Sequence, residues 1–364
     1  MSDEIKPVSI FSGSKIWFSI FGASHAKVIG VCFSGIEKGT TIDAEELNFF
    51  MKRRAANDSV FSTTRREPDD VIFKSGVKNG AIAYNKKPVI AVIENKVQKS
   101  ADYGEELTVI RPGHADYVGR IKFGKDYDHR GGGVFSGRMT APLCILGGIA
   151  KQILEKRGIK VHAFIESVGN AKGKTYGDID AETFDFSQVD PSFPLIDNGD
   201  REKMENEVKI ARESGDSVGG RIGCVITGVP AGTGNVMFDS LESTVSRLAF
   251  GVPAVKGIEF GKGFSLTEMR GSSANDPFFI KDGVIKTKTN NNGGINGGIA
   301  NGMPITFSVA VKPTPSISLE QDSVDIKSMQ EVKIRINGRH DACIALRAVP
   351  VIESVAAIAV LDNL

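Results

Sequence analysis

The sequence predicts an α+β fold, with long buried helices between antiparallel sheets and an internal duplication with pseudo-twofold character. Three observations carry this. Two segments, at about 136–157 and about 349–363, have helical length and composition but no clean polar face, so both are expected to be covered on most sides. Strand-like runs are joined mostly by short turns, which favours antiparallel pairing. A spacing also recurs: Ile29-Gly30, Gly35 and Gly39-Thr40 reappear as Ile222-Gly223, Gly228 and Gly232-Thr233.

Taken in order, residues 1–14 read as a leader. Residues 15–21 alternate toward a strand, and a second strand covers 28–33. After a turn at 35–40, Asp43 with Glu46 three residues on forms a capping box. The helix it opens points Leu47, Phe50 and Met51 inward and closes on Lys52-Arg53-Arg54, cations at the negative end of its dipole. Residues 76–82 and a strand at 88–94 are matched later by 294–299 and 304–311. Asp239 and Glu242 make the equivalent box for a helix reaching about 250. Each copy arrives at a polar knot before its apolar helix: Arg111, His114 and Asp116 in one, Arg339, His340 and Asp341 in the other. The expected organisation is one domain, 15–364, with halves at about 15–160 and 215–364. The connector, 161–214, carries a strand near 161–164 and a polar helix near 201–213.

Composition narrows the function classes. The chain has 364 residues, is 41% apolar and carries a formal net charge of +1. Near-neutrality provides no global field for nucleic acid or membrane, so anion binding must come from local clusters. No run of 18 apolar residues exists, so no membrane-spanning helix is expected. The amino-terminal segment lacks a signal-peptide core, and four scattered cysteines suit buried thiols in a reducing cytoplasm. No CxxC or His-x₃-His spacing suggests a metal site. Neither a dinucleotide fingerprint nor a P-loop is present.

The chemistry-bearing residues concentrate between Arg111 and Arg138. Glycines 131–133 allow close backbone approach and expose N–H groups, next to the start of an apolar helix. Of five histidines, His25, His114 and His340 sit in glycine-rich or polar motifs, where acid–base work near neutral pH is expected. His162 lies in an apolar strand and reads as structural. Lys312-Pro313-Thr314-Pro315-Ser316 presents a cation and two hydroxyls on a stiffened strand end, suited to a phosphate or a flavin edge.

Five motifs occur in the order found in the chorismate synthase family, which the chain resembles from about residue 15 to its end. They are Gly22-Ala23-Ser24-His25, Arg111-Pro112-Gly113-His114-Ala115-Asp116, Arg130-Gly131-Gly132-Gly133 with Ser136-Gly137-Arg138, Lys312–Ser316, and Gly338-Arg339-His340-Asp341. The resemblance implies a layered β-α-β sandwich, a homotetramer, and elimination of phosphate from 5-enolpyruvylshikimate-3-phosphate to give chorismate. It implies reduced FMN as cofactor, with NADPH as a reductant in some members. His114 would protonate or hydrogen-bond the reduced flavin, and His25 would stabilise the departing phosphate. Ser24 and Asp341 would relay the proton. Arg53, Arg54, Arg111, Arg138 and Arg339 would clamp the anionic substrate. Flavin contacts would come from Arg54, Val134, Phe135, Ser136, Ala254, Gly297, residues 312–316 and Arg339.

The sequence departs from the family pattern at Ala23, Ala26, Ala55-Ala56-Asn57, Val60, Val134, Pro253 and Ala342. These changes remove positive charge near flavin and substrate but leave His25, His114, Ser24 and Asp341 in place. An active lyase is the expectation. The competing reading is a paralogue that binds flavin or a phosphorylated metabolite without turnover.

Overall fold

The computed structural model describes residues 7–55, 69–95, 108–336 and 341–364. In chain order the first half gives β1 (Pro7–Ser12), β2 (Trp17–Phe21), β3 (Val28–Ser34), α1 (Ala44–Arg54), β4 (Ile72–Ser75), β5 (Val77–Lys78), β6 (Ala81–Ile82) and β7 (Val89–Glu94). Then follow α2 (Asp116–Phe123), α3 (Thr140–Glu155), β8 (Lys160–Val168), β9 (Ala171–Lys172) and α4 (Arg201–Glu213). The remainder gives β10 (Gly220–Thr227), α5 (Leu241–Phe250), β11 (Val255–Phe260), α6 (Gly271–Ala274), β12 (Phe278–Lys281) and β13 (Val284–Thr287). It closes with β14 (Ile295–Asn296), β15 (Ile299–Ala300), β16 (Ile305–Val311), β17 (Gln321–Asp325), β18 (Gln330–Ile334) and α7 (Ala345–Asn363).

Two five-stranded antiparallel sheets form the outer layers, in the orders β1-β2-β3-β7-β4 and β9-β8-β10-β16-β11. Helices α3 and α7 run between them. α3 packs on β3 and β7, α7 packs on β8 and β10, and the two helices pack on each other. Close approach requires Gly147, where a Cβ would lie 2.1 Å from that of Ser354. Both helices are apolar because almost every side chain on them is buried. Sandwiched helices between antiparallel sheets are therefore what the missing polar faces implied.

The glycine frames of the two halves carry the same backbone hydrogen bonds. Gly39 N–H donates to Ile82 O at 2.8 Å, and Gly232 N–H to Ala300 O at 2.9 Å. Ile82 N–H donates to Thr40 O, and Ala300 N–H to Thr233 O. Ala83 N–H donates to Gly76 O, and Asn301 N–H to Gly294 O. Gly39 and Gly232 have φ of +87° and +93°, a region that disfavours any side chain.

Several expectations need correction. Residues 7–12, expected to fall in a leader, instead form β1, an edge strand on β2, with Phe11 stacked on Phe18 at 5.2 Å. The following turn is held by the buried Asp362, which accepts from the N–H groups of Ser14, Lys15 and Ile16. β8, assigned to the connector, takes the place beside β10 that β2 takes beside β3. α3 starts at Thr140 after a 3₁₀ turn at Gly137–Met139, and α7 starts at Ala345. Asp43 caps α1, but its own N–H goes to Gln152 Oε1 on α3. The cap of α5 is Ser240 rather than Asp239, because Ser240 Oγ accepts from Ser243 N–H.

Candidate active site

The site is assembled around the turn at Gly131–Gly133. Its glycines have φ of +57°, +84° and +54°, values only glycine adopts readily. A Cβ on Gly131 would lie 2.5 Å from His25 Cε1 and 2.7 Å from Ser24 Oγ. A Cβ on Gly132 would lie 3.3 Å from His114 Nε2. One turn thus separates His25 and His114, which are 89 positions apart in the chain.

Each histidine is held from behind. His25 Nδ1 lies 3.1 Å from Arg130 O; a carbonyl only accepts, so Nδ1 carries the proton. The loop Ala23–Ala26 is fixed by Asn95, whose amide donates to Ala26 O at 2.7 Å and reaches the Ala23 and Ser24 carbonyls. His114 Nδ1 lies 2.7 Å from Asp116 Oδ1. Asp116 is fully buried and also accepts from Arg111 N–H, Nε and Nη2 and from Tyr127 Oη. Burial pushes the Asp116 carboxyl up, but the hydrogen bonds from Arg111 and His114 hold it well below the usual range. Ile110, just before this knot, is pinned by the β17–β18 hairpin, through Ile110 N–H to Val324 O and Ser323 Oγ to Ile110 O.

Behind the turn lies an arginine cluster. Arg54, on the last turn of α1, donates through Nε and Nη2 to Asp69 Oδ2 at 3.1 and 2.6 Å. Arg138 donates to the other oxygen of Asp69 and, through Nε, to Asn95 Oδ1 at 3.0 Å. Burial raises the Asp69 carboxyl, and the two guanidiniums outweigh it and bring it below its ordinary value. Two cations on one carboxylate carry net positive charge. Arg347 extends the cluster, with Nη1 on Asp341 Oδ2 at 2.7 Å and Nε on Arg54 O at 3.1 Å.

Segment 312–316 lies against the first knot. Lys312 Nζ donates to Gly113 O at 2.5 Å, and Arg111 Nη1 reaches Ser316 Oγ at 3.5 Å. Pro315 is the nearest neighbour of Gly113's missing Cβ. Lys312 N–H donates to Ala254 O, which brings Ala254, at φ +72°, beside this segment. Pro313 packs against Gly219. Among the described residues the buried Thr314 Oγ1 has no hydrogen-bond partner, an arrangement that fits a ligand offering it an acceptor. A flavin phosphate or ring edge offers one, so the residues present fit FMN.

Not every expected residue converges here. Arg53 points away: it makes a bidentate pair with the buried Glu353 of α7 at 2.7 and 2.9 Å. Neighbours on a helix are turned by about 100°, and here Arg53 is turned to Glu353 while Arg54 is turned to Asp69. Arg111 is committed to Asp116 rather than pointing freely at a substrate. Phe135 turns toward α2, packing near Phe123 and Tyr127. Val134 and Ser136 flank it on the turn, where Ser136 Oγ accepts from Arg138 N–H. Gly297 sits in the β14–β15 turn, whose next residue packs on Asn235 and Ser240. Arg339, His340 and Val60 lie outside the described residues. Asp69, Asn95, Tyr127 and Arg347 were missed in the sequence. Tyr127 lies within the Arg111–Arg138 stretch but carries no motif of its own, and Asp69, Asn95 and Arg347 lie outside the five motifs, so that contacts alone mark them.

The fold and site together define a two-sheet sandwich with a histidine, arginine and carboxylate site suited to an anionic ligand and proton transfer. The family model described as chorismate synthase matches residues 16–364. The chorismate synthase of Thermococcus gammatolerans is 42% identical over 352 residues, covering 97% of this chain and 96% of that protein. The Pyrococcus abyssi protein of the same name is 43% identical over 354 residues, covering 97% and 96%. A solved structure titled Crystal Structure of Chorismate Synthase aligns with a TM-score of 0.71 at 23% identity, over 97% of this chain and 92% of that one; this likeness is one of fold. The chain belongs to the chorismate synthase family.

Proposed function

We propose that the chain eliminates phosphate from 5-enolpyruvylshikimate-3-phosphate to form chorismate, in the cytoplasm, as a homotetramer that uses reduced FMN. What supports this most directly is the Gly131–Gly133 turn with His25 at its first glycine and His114 at its second. Two acid–base groups on one backbone turn can act at two ends of one small substrate. His25 Nδ1 is used on Arg130 O, so in the cationic ring Nε2 is the atom that donates to the leaving phosphate. His114 exchanges its proton at Nε2, the atom nearest Gly132. Arg54 and Arg138, held by Asp69, and Arg339 set the positive charge that receives the phosphate and carboxylates. Ser24 and Asp341 hold or pass on the proton removed from the substrate, with Asp341 oriented by Arg347.

Lys312, Thr314 and Ser316, with Ala254, Val134, Ser136 and Gly297, would hold FMN. When bound in its reduced form, FMN supplies transient electron density with no net oxidation, and NADPH is the candidate reductant. We also infer that the chain arose by duplication, since matched glycines carry matched hydrogen bonds and four strands of each sheet, β2-β3-β7-β4 and β8-β10-β16-β11, follow one order in the chain.

The test is chorismate formation from the named substrate under anaerobic conditions with photoreduced FMN. Turnover is expected in the wild type. Loss of about 10²–10⁴-fold is expected in His25→Ala and in His114→Ala, the range that general acid–base groups contribute. A folded wild type that binds FMN and substrate without turnover would instead establish a binding protein.

A further inference from the structure

The proposed chemistry uses His114 but leaves open what fixes its ring. We infer that Asp116 is a positioning residue for His114, holding the imidazole with its proton on Nδ1 and its Nε2 presented to the glycine turn. Donors and acceptors around the ring decide its tautomer. His114 Nδ1 has two near neighbours: Asp116 Oδ1 at 2.7 Å and Arg111 Nη2 at 3.2 Å. A carboxylate cannot donate, so an unprotonated Nδ1 would set a lone pair against an anion at 2.7 Å. With the proton on Nδ1 that contact becomes a charge-assisted hydrogen bond. Arg111 Nη2 then donates to Asp116 Oδ1, also at 2.7 Å, rather than to the ring.

The surroundings keep Asp116 ionised and stationary. It is fully buried, and Arg111 grips both of its oxygens. Tyr127 Oη donates to Oδ1 at 3.3 Å, and the phenol is lodged where Gly119 lacks a side chain: a Cβ there would lie 2.7 Å from the Tyr127 ring. The depressed Asp116 pKa keeps this acceptor charged across the neutral range. The ring therefore presents one atom, Nε2, as an acceptor when neutral and a donor when cationic. This deepens the function proposed above and rests on it for what Nε2 meets. The ring geometry stands apart from that reading.

The test combines ring-nitrogen resonances of [15N]histidine-labelled protein with steady-state kinetics. His114 is assigned by its absence in His114→Ala, and is read at a pH where the ring is neutral. Wild type is expected to show the Nδ1–H tautomer. In Asp116→Asn the amide can donate to Nδ1, so the proton is expected to move to Nε2. In that variant kcat should fall about 100-fold while KM changes little. A merely structural role would not move the tautomer. Wild-type His114 carrying its proton on Nε2 would overturn the inference without any variant, which covers the case of Asp116→Asn failing to fold. So would an Asn variant with unchanged tautomer and unchanged kcat. A wild type that forms no chorismate yet shows Nδ1–H would reject the proposed function and support the positioning.

Discussion

Gly131 shows how little room the site leaves. Its φ of +57° disfavours a side chain, and a Cβ would fall 2.5 Å from His25 and 2.7 Å from Ser24. Gly131→Ala should displace His25 and lower kcat by about 100-fold, the effect of a misplacement near 1 Å. The protein should remain folded by circular dichroism. Asp69 contributes to the pH dependence of the same region. Burial raises its pKa, but Arg54 and Arg138 lower it further, so the folded value lies below the unfolded one. Its stabilisation is then complete above the unfolded value of about 3.9 and is lost as pH falls through the lower folded value. Urea unfolding measured through this acid range should show a steeper loss of stability for wild type than for Asp69→Asn. Equal slopes would remove Asp69 from the account.

Helix α1 shows how one turn divides two roles. Arg54 faces Asp69 and the site, while Arg53 faces Glu353 in the interior. Glu353 is buried and also accepts from Ala163 N–H, so the pair ties α1, α7 and β8 together. Breaking a buried pair strands a charge, whereas replacing both partners by apolar groups does not. Glu353→Gln should destabilise by about 3–5 kcal/mol. Arg53→Met combined with Glu353→Leu should recover most of that loss. The double variant should also keep the KM of the wild type, since Arg53 is turned to Glu353 rather than toward Asp69 and Arg138. A raised KM would return Arg53 to the site.

Across the whole molecule, the two sheets cover α3 and α7 on opposite sides, and the polar knot of the first half lies against a segment of the second. The exposed surface keeps large apolar groups, including Phe278, Ile280 and Ile285 on the β12–β13 hairpin and Phe238 before α5. Exposed apolar groups in such numbers are suited to subunit contact. The expected assembly is a tetramer of the 39.0 kDa chain, read by light scattering. Ile280→Asp should lower the measured mass if the hairpin takes part. An unchanged tetramer would place the contact elsewhere.

The sequence alone determined the layers. Apolar helices without a polar face can only be covered on both sides, and short turns between strands leave little choice but antiparallel pairing. It also pointed to the candidate site, because His25, His114 and the three glycines stand in local motifs that no core requires. The tertiary structure decided which cations lie together at the candidate site. Neighbouring Arg53 and Arg54 look alike in a charge run, yet the helical turn sends one to Glu353 and the other to Asp69. It also decided the supporting groups. Asp69, Asn95 and Arg347 act through partners 15 to 293 positions away, and a contact across such a distance leaves no local pattern to read.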